Sequence, residues 1–295
     1  MKITFLGTSA MVPTKERNHP GVLINYDREN ILLDCGENTQ RQLKFINFSP
    51  NKITRLLISH WHGDHILGIP GLIQTLGANN YEKILEIYGP KNSKSFMKKI
   101  INSFLLEDKI KYKVHEVNGK FFENEDFYLE ATYLKHSAPC LSFSLIEKPK
   151  RRINLKYLKK FNLTKHPLLG ELQKGKDITY NDKKIKAKEA TFLIKGKKLT
   201  YLSDTVLDNS CIKAAKNSDL LIAESTFAND FKEKAKKYQH LTAEQAALIA
   251  KKSKSKQLIL THFSQRYKTL EILEKEAKKI FKNTIMARDF MTLNL

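Results

Sequence analysis

Apolar residues fall in short runs along this chain, each closed by glycine, proline or a polar turn. Residues 2–6 read as a first strand ending at Gly7. Residues 22–25 and 31–34 read as a hairpin across Asp27 to Asn30. A helix is expected over 39–47 with Thr39 as its N-cap, and further helices over 66–76 and 92–105. Between the first two lies the run Ile53 to Ile58, apolar and β-branched as a buried strand is. Short strands fill 111–146, the clearest at 128–134 and 141–146. Residues 191–195 and 198–202 read as a second hairpin, across Gly196. Helices over 209–217, 242–252 (Thr242 as N-cap) and 269–280 then alternate with strands at 220–223 and 257–260. Two short strands, near Ile285 and over 290–293, close the chain. Strands and helices that alternate, with antiparallel stretches in both halves, predict two sheets sandwiched between helices.

One segment breaks the pattern. Residues 148–189 carry 14 Lys or Arg against 4 Asp or Glu, a net of +10 in a chain whose total is +21 over 295 residues. Apolar positions there have no regular spacing, and Tyr157, Phe161 and Tyr180 are interleaved with the lysines. A solvated face is the ordinary fate of such a run; an inserted basic arm is the reading adopted for 148–189 within a single domain over 1–295. The overall charge favours polyanionic partners, nucleic acid foremost. No apolar run is long enough for a membrane span, and the short apolar start is unlike a signal peptide. Three scattered cysteines form neither a disulfide framework nor a CxxC metal pattern, and a cytoplasmic location is expected.

The chemistry concentrates where the run to Ile58 ends, at His60-Trp61-His62-Gly63-Asp64-His65. His60 and His62 are two apart, so on a helix they would point to nearly opposite sides. On a loop at a strand end they can converge. His136, Asp204 and His262 also follow strand-like runs, which brings the candidate ligands to seven: His60, His62, Asp64, His65, His136, Asp204 and His262. A tetrahedral site takes four. Seven suit two metals that share a carboxylate, the arrangement used for phosphoryl chemistry. Trp61 between the ligands is expected to pack rather than to meet substrate.

The spacing His60-x-His62-x-Asp64-His65, followed in order by His136, Asp204 and His262, resembles the metallo-β-lactamase superfamily. Phe5 to Ala10, Pro13 to Asn18, Leu32 to Gln42, Tyr201 to Thr205, Glu224 to Phe227, His240 to Thr242 and Thr261 to Tyr267 narrow the resemblance to the ribonuclease Z family. The likeness spans the chain outside 148–189. It implies an α/β fold, the αββα sandwich, and a zinc endoribonuclease that trims precursor tRNA 3′ trailers. It implies that His60, His62 and His136 bind one Zn2+, that Asp64, His65 and His262 bind a second, and that Asp204 bridges them. Manganese or iron would suit the same donors. Asp64 would act as base, and His240, supported by Glu224, would protonate the leaving oxygen. Glu224 equally suits a cap on the turn after it. The family is typically a homodimer whose arm cups tRNA. This chain lacks the Gly-Pro pair common in that arm and has Ser142 and Ala223 where the family often has Gly and His. A hydrolase of small esters, sulfates or phosphodiesters on the same site is the alternative function.

Overall fold

The computed structural model describes all 295 residues, which form two compact units. The first comprises Met1–Phe122, Leu129–Leu145 and Lys198–Leu295; the second comprises Glu123–Tyr128 and Ile146–Lys197. Two seven-stranded sheets dominate. In one, Lys2–Gly7 lies between the C-terminal strand Thr292–Asn294 and Gly21–Tyr26, both antiparallel to it. Gly21–Tyr26 and Glu29–Leu33 form the expected hairpin, and Arg55–Leu57, Ile84–Gly89 and Lys111–Glu116 then add on in parallel. In the other sheet, Lys198–Leu202, Leu220–Glu224, Leu258–Thr261 and Thr284–Met286 are successive parallel neighbours. Cys140–Glu147, Phe127–Leu134 and Gly119–Glu123 complete it.

Each sheet buries one face under helices. Leu43, Leu72, Ile73, Leu76, Met97 and Ile101, from three helices, pack with Leu32, Leu56 and Ile87. On the other sheet Ala246, Ala247, Ala250, Leu273 and Ala277 pack with Leu221, Ala223, Leu258 and Leu260. Alanine dominates that helix face, which lets the helices approach the sheet closely. The order helix, sheet, sheet, helix is the αββα sandwich. No helix is long and apolar enough to cross a membrane. All three cysteines are buried and unpaired.

The sequence expectations fail at three instructive places. Thr39 is the first residue of its helix and not the cap; Asn38, in the left-handed region at φ 64°, occupies the cap position, and the Thr39 hydroxyl donates to the Gly36 carbonyl. Residues 191–195 and 198–202 form no hairpin. Thr191–Ile194 pairs antiparallel with Lys150–Ile153, while Lys198–Leu202 enters the large sheet. Gly196 explains the separation: a Cβ there would lie 2.0 Å from the Glu147 carbonyl oxygen, so the chain passes along a neighbouring backbone instead of turning. Finally, the basic segment has a core. Within the second unit Leu158, Leu163, Leu172, Ile178, Ile185, Ala187 and Ala190 are buried together, packed against Tyr157, Phe161 and Tyr180. Short elements supply them: helices Leu155–Leu158, Leu168–Gln173 and Ala187–Ala190 and the strand pair Ile178–Tyr180 and Lys183–Ile185.

Candidate metal centre

The site is assembled in the first unit, at the carboxyl ends of strands, where open α/β sheets place their ligands. His60 follows Arg55–Leu57, His136 follows Phe127–Leu134, Asp204 follows Lys198–Leu202, Glu224 ends Leu220–Glu224 and His262 follows Leu258–Thr261. His62 caps a single helical turn, Gly63–Ile66, that carries Asp64 and His65. His262 has φ 60°, a conformation uncommon for a residue with a Cβ. Such strain persists where the surroundings over-determine it.

Hydrogen bonds fix which nitrogen of each ring faces the centre. Asp34, fully buried, accepts from the Ser59 backbone N–H at 2.7 Å, the Ser59 hydroxyl at 2.8 Å and the Tyr201 hydroxyl at 2.9 Å. It also accepts from His65 Nδ1 at 2.8 Å, which turns His65 Nε2 inward. The Gln239 carbonyl accepts from His136 Nδ1 at 3.0 Å, leaving the lone pair on Nε2. The Thr226 hydroxyl donates to Glu224 Oε2 at 2.7 Å and accepts from His262 Nδ1 at 3.0 Å. Ser59 Oγ lies 3.0 Å from His60 Nδ1. Outer partners of this kind orient ring ligands and raise their basicity.

The inward atoms form two pockets. In one, His60 Nε2 is 3.0 Å from His62 Nδ1, His62 Nδ1 is 3.2 Å from His136 Nε2, and Asp204 Oδ2 is 3.5 Å from His60 Nε2 and 3.9 Å from His136 Nε2. In the other, His65 Nε2 and His262 Nε2 are 3.2 Å apart, and Asp64 Oδ2 lies 3.5 Å and 3.3 Å from them. Asp204 joins this set too, with Oδ1 3.4 Å from His262 Nε2 and Oδ2 3.6 Å from His65 Nε2. Donors bound tetrahedrally at about 2.0–2.2 Å sit about 3.3–3.6 Å from one another. Both pockets are near that spacing. In the second pocket His65 Nε2 and His262 Nε2 face each other, and buried Asp204 Oδ1 has no hydrogen-bond donor. Imidazole nitrogens and carboxylates converging at this spacing fit a divalent metal. The ligand sets His60, His62, His136, Asp204 and Asp64, His65, His262 are thus brought together.

Burial works against charge on His65, but Asp64, Asp204 and Asp34 outweigh it and hold His65 well above the ordinary histidine range. Burial, reinforced by the charge of His65, drives His60 well below the ordinary histidine range, so its lone pair is free. Burial works against the charge on Asp64, but His65 and His262 outweigh it and keep the carboxyl ionised. Asp64 Oδ2 also accepts from the Met11 backbone N–H at 2.9 Å.

His240 stands at the rim of the first pocket, its ring 5.4 Å from His136 and 5.6 Å from His262. The helix Lys232–Tyr238 delivers it: Gln239 reverses the chain in the left-handed region, and the helix Ala243–Lys252 starts just beyond. His240 Nδ1 is 3.2 Å from Glu224 Oε1. Burial alone would lower its pKa, yet Glu224 and Asp204 raise it to about 9. Glu224 does more than hold the ring. Its Oε1 accepts from the backbone N–H groups of Thr205 and Leu241, each at 3.0 Å, and Oε2 accepts from Thr226 N–H. The cap of the following turn and the support of His240 are therefore one carboxylate.

Sequence reasoning did not single out Ser59, Thr226 or the Met11 amide. Ser59 directly precedes His60 and Thr226 lies in the quoted Glu224 to Phe227 stretch, but only the fold shows that their hydroxyls reach ligand rings. Trp61 packs as expected, stacked on Phe96 at 5.3 Å with its N–H on Ser93.

Ligands gathered at strand ends between two helix-covered sheets define the metallo-β-lactamase fold class of hydrolases. Human tRNase Z, short form, aligns in structure with a TM-score of 0.73 at 29% identity, covering 100% of this chain and 99% of that one. Ribonuclease Z of Nanoarchaeum equitans is 38% identical over 265 residues, 90% of this chain and 84% of the relative. Ribonuclease Z of Methanothermobacter thermautotrophicus is 38% identical over 297 residues, 100% and 97% of the two chains. The chain belongs to the ribonuclease Z family, and to the group matched by the family model described as Anti-Pycsar protein Apyc1, which covers residues 1–285.

Proposed function

We propose that this protein is an endoribonuclease that cuts precursor tRNA at the 3′ end, with two Zn2+ as its cofactors. The observation that carries the reading is the full-length likeness to ribonuclease Z in a chain whose seven candidate metal donors lie in two converging groups, with Asp204 near both. His60, His62 and His136 would hold one ion, and Asp64, His65 and His262 the other. Bound there, a divalent pair lowers the pKa of water and neutralises charge on the phosphate. Asp64, ionised and at the pocket wall, orients the attacking water and takes its proton. As the water oxygen bonds to phosphorus, the bond to the 3′ oxygen breaks. His240 gives that oxygen a proton, its Nδ1 held by Glu224 and its other nitrogen free for substrate. The products are a tRNA with a 3′-hydroxyl and a trailer with a 5′-phosphate. The basic segment 148–189 acts as the RNA-binding arm, supported by its lysines and its self-contained core. Burial of all three cysteines as free thiols suits a cytoplasmic enzyme, which we take to be a homodimer.

The same donor set also supports a second reading, a hydrolase of small esters, sulfates or phosphodiesters. End-mapping separates the two. With zinc present, a labelled precursor tRNA should be cut once, after the discriminator base, and a chelator should abolish the cut until zinc is restored. Intact precursor beside rapid turnover of bis(p-nitrophenyl) phosphate would overturn the tRNA reading.

A further inference from the structure

Beside the metal donors, within the first unit, a cleft of about 520 Å³ opens with His240 in its wall. Its volume is in the range of small-ligand sites. Val206 and Leu207 give it an apolar side, and Lys135 stands next to them. The Lys135 carbonyl accepts from the Val206 N–H at 3.1 Å, which ties these two walls together. The opposite side is the helix Lys232–Tyr238, which presents Lys232 and Lys236. Four apart on one helix, they lie on the same face. Glu233 is the single acid in the lining, against three lysines. Gln245 also lines the cleft, its Oε1 engaged by the Thr242 N–H.

Gln239 supplies the decisive detail. Its side-chain Oε1 is buried and has no hydrogen-bond donor, although the residue lines the cleft. A turn of this side chain would bring the unpaired acceptor to a donor that enters the cleft. Cations, an apolar wall and an unpaired amide acceptor together fit a ribonucleotide: phosphate on lysine, base against Val206 and Leu207, and an N–H or O–H on Gln239.

We propose that this cleft is a nucleotide subsite that holds the nucleotide whose 3′ oxygen leaves. The proposal rests on the RNA-cleaving reading above and gives it a location. A proton donor must lie within hydrogen-bond reach of the oxygen it protonates. His240 is a wall of this cleft, so the nucleotide bearing that oxygen sits in it. That nucleotide's own 5′-phosphate then meets Lys232 and Lys236. Neither lysine is among the candidate metal donors.

The test compares zinc-loaded wild type with Lys232→Ala/Lys236→Ala and with Gln239→Met, which keeps the side-chain volume but not the acceptor. Adenosine 5′-monophosphate, which has the 3′-hydroxyl and 5′-phosphate of the leaving end, is used as an inhibitor of bis(p-nitrophenyl) phosphate hydrolysis. Inorganic phosphate serves as the reference for direct binding to metal. In wild type the nucleotide should inhibit at least about tenfold more tightly than phosphate. Both variants should lose most of that excess, and in the double lysine variant bis(p-nitrophenyl) phosphate turnover should stay within about twofold of wild type. With precursor tRNA the double variant should raise KM about tenfold and weaken the salt dependence, since both lysine contacts to that phosphate are gone. An excess that is absent in wild type, or that survives in both variants, overturns the subsite. Should wild type leave precursor tRNA intact, the tRNA reading falls, and the nucleotide-over-phosphate comparison still decides the cleft.

Discussion

Single residues decide most of the chemistry here, and His240 is the most exposed to test. Raised to about 9 by Glu224 and Asp204, its imidazole is protonated at neutral pH, as a general acid must be. Cations in the two pockets pull that value down, so the alkaline limb of the rate should fall at or below pH 9. His240→Ala should lower kcat about 10²–10⁴-fold and flatten that limb while precursor tRNA binding changes little. A limb that persists in the variant would assign it to another group. Asp289 is a second residue whose pH behaviour follows from its surroundings. It accepts from the Thr8 hydroxyl at 2.8 Å and from the Asn18 backbone N–H at 2.7 Å, yet burial pushes its pKa up to about 6. The folded state therefore holds a proton between about pH 4 and 6 that the unfolded chain has lost, and stability should fall as pH rises through that window. Asn can keep its contacts, accepting from Asn18 and from the Gln42 side-chain amide at 3.3 Å and donating to the Thr8 hydroxyl. Asp289→Asn should thus remove the slope and be about 1–3 kcal/mol more stable than wild type at pH 8, measured by denaturant unfolding. The candidate donors were legible because three imidazoles and a carboxylate in six positions have no packing rationale. The hydroxyls of Ser59 and Thr226 were not, since serine and threonine are ordinary at strand ends and their role lies in which ring they face.

At the scale of elements, the helix Ala243–Lys252 is where local sequence and tertiary purpose coincide. Thr242 accepts from the Gln245 N–H at 3.2 Å, and the Gln245 side chain accepts from the Thr242 N–H at 2.9 Å. This reciprocal cap satisfies two backbone donors. It also fixes the chain two residues after His240. Thr242→Ala should cost about 1 kcal/mol of stability, read as a lower urea midpoint, and should lower kcat for precursor tRNA as His240 loosens. An unchanged kcat would show that Glu224 alone positions the ring. Thr242 was readable as a cap because threonine precedes a helical run with glutamine three positions on. The preceding helix Lys232–Tyr238 was not singled out: only Ala235 of its residues is buried, so it offers no apolar period to read. Thr191–Ile194 misled for the opposite reason. It is apolar, yet Phe192, Leu193 and Ile194 are exposed, and its partner Lys150–Ile153 lies some forty residues earlier. A glycine between two apolar runs signals a hairpin only when nothing else approaches it, and at Gly196 the Glu147 backbone does.

For the molecule as a whole, the two-sheet sandwich followed from alternating strands and helices, whereas the second unit was legible only as charge. Its core draws on isolated leucines and isoleucines in helices of four to six residues, too short to show a period. That core makes the basic segment a folded object that can be removed as one piece. The Glu147 N–H donates to the Lys197 carbonyl at 2.9 Å, so a short glycine-serine link from Glu147 to Gly196 can replace what lies between. Removing residues 148–195 this way also takes out the apolar strand Thr191–Ile194 with its partner and exposes no unpaired edge between them. The seven candidate metal donors lie outside the excised stretch, so bound zinc and bis(p-nitrophenyl) phosphate turnover should stay within about twofold of wild type. If the segment binds RNA, KM for precursor tRNA should rise about tenfold to a hundredfold, and the slope of binding against salt should become shallower as phosphate contacts are lost. Lys159→Gln/Lys183→Gln/Lys188→Gln, all exposed and without an ion-pair partner, tests the same charge in an intact fold. Each lysine that meets a phosphate should take roughly 0.7–0.9 from the slope. An equal loss on both substrates would mean that the segment supports the fold of the centre and not the capture of RNA, and an unchanged salt slope in the triple variant would locate the phosphate contacts on other lysines.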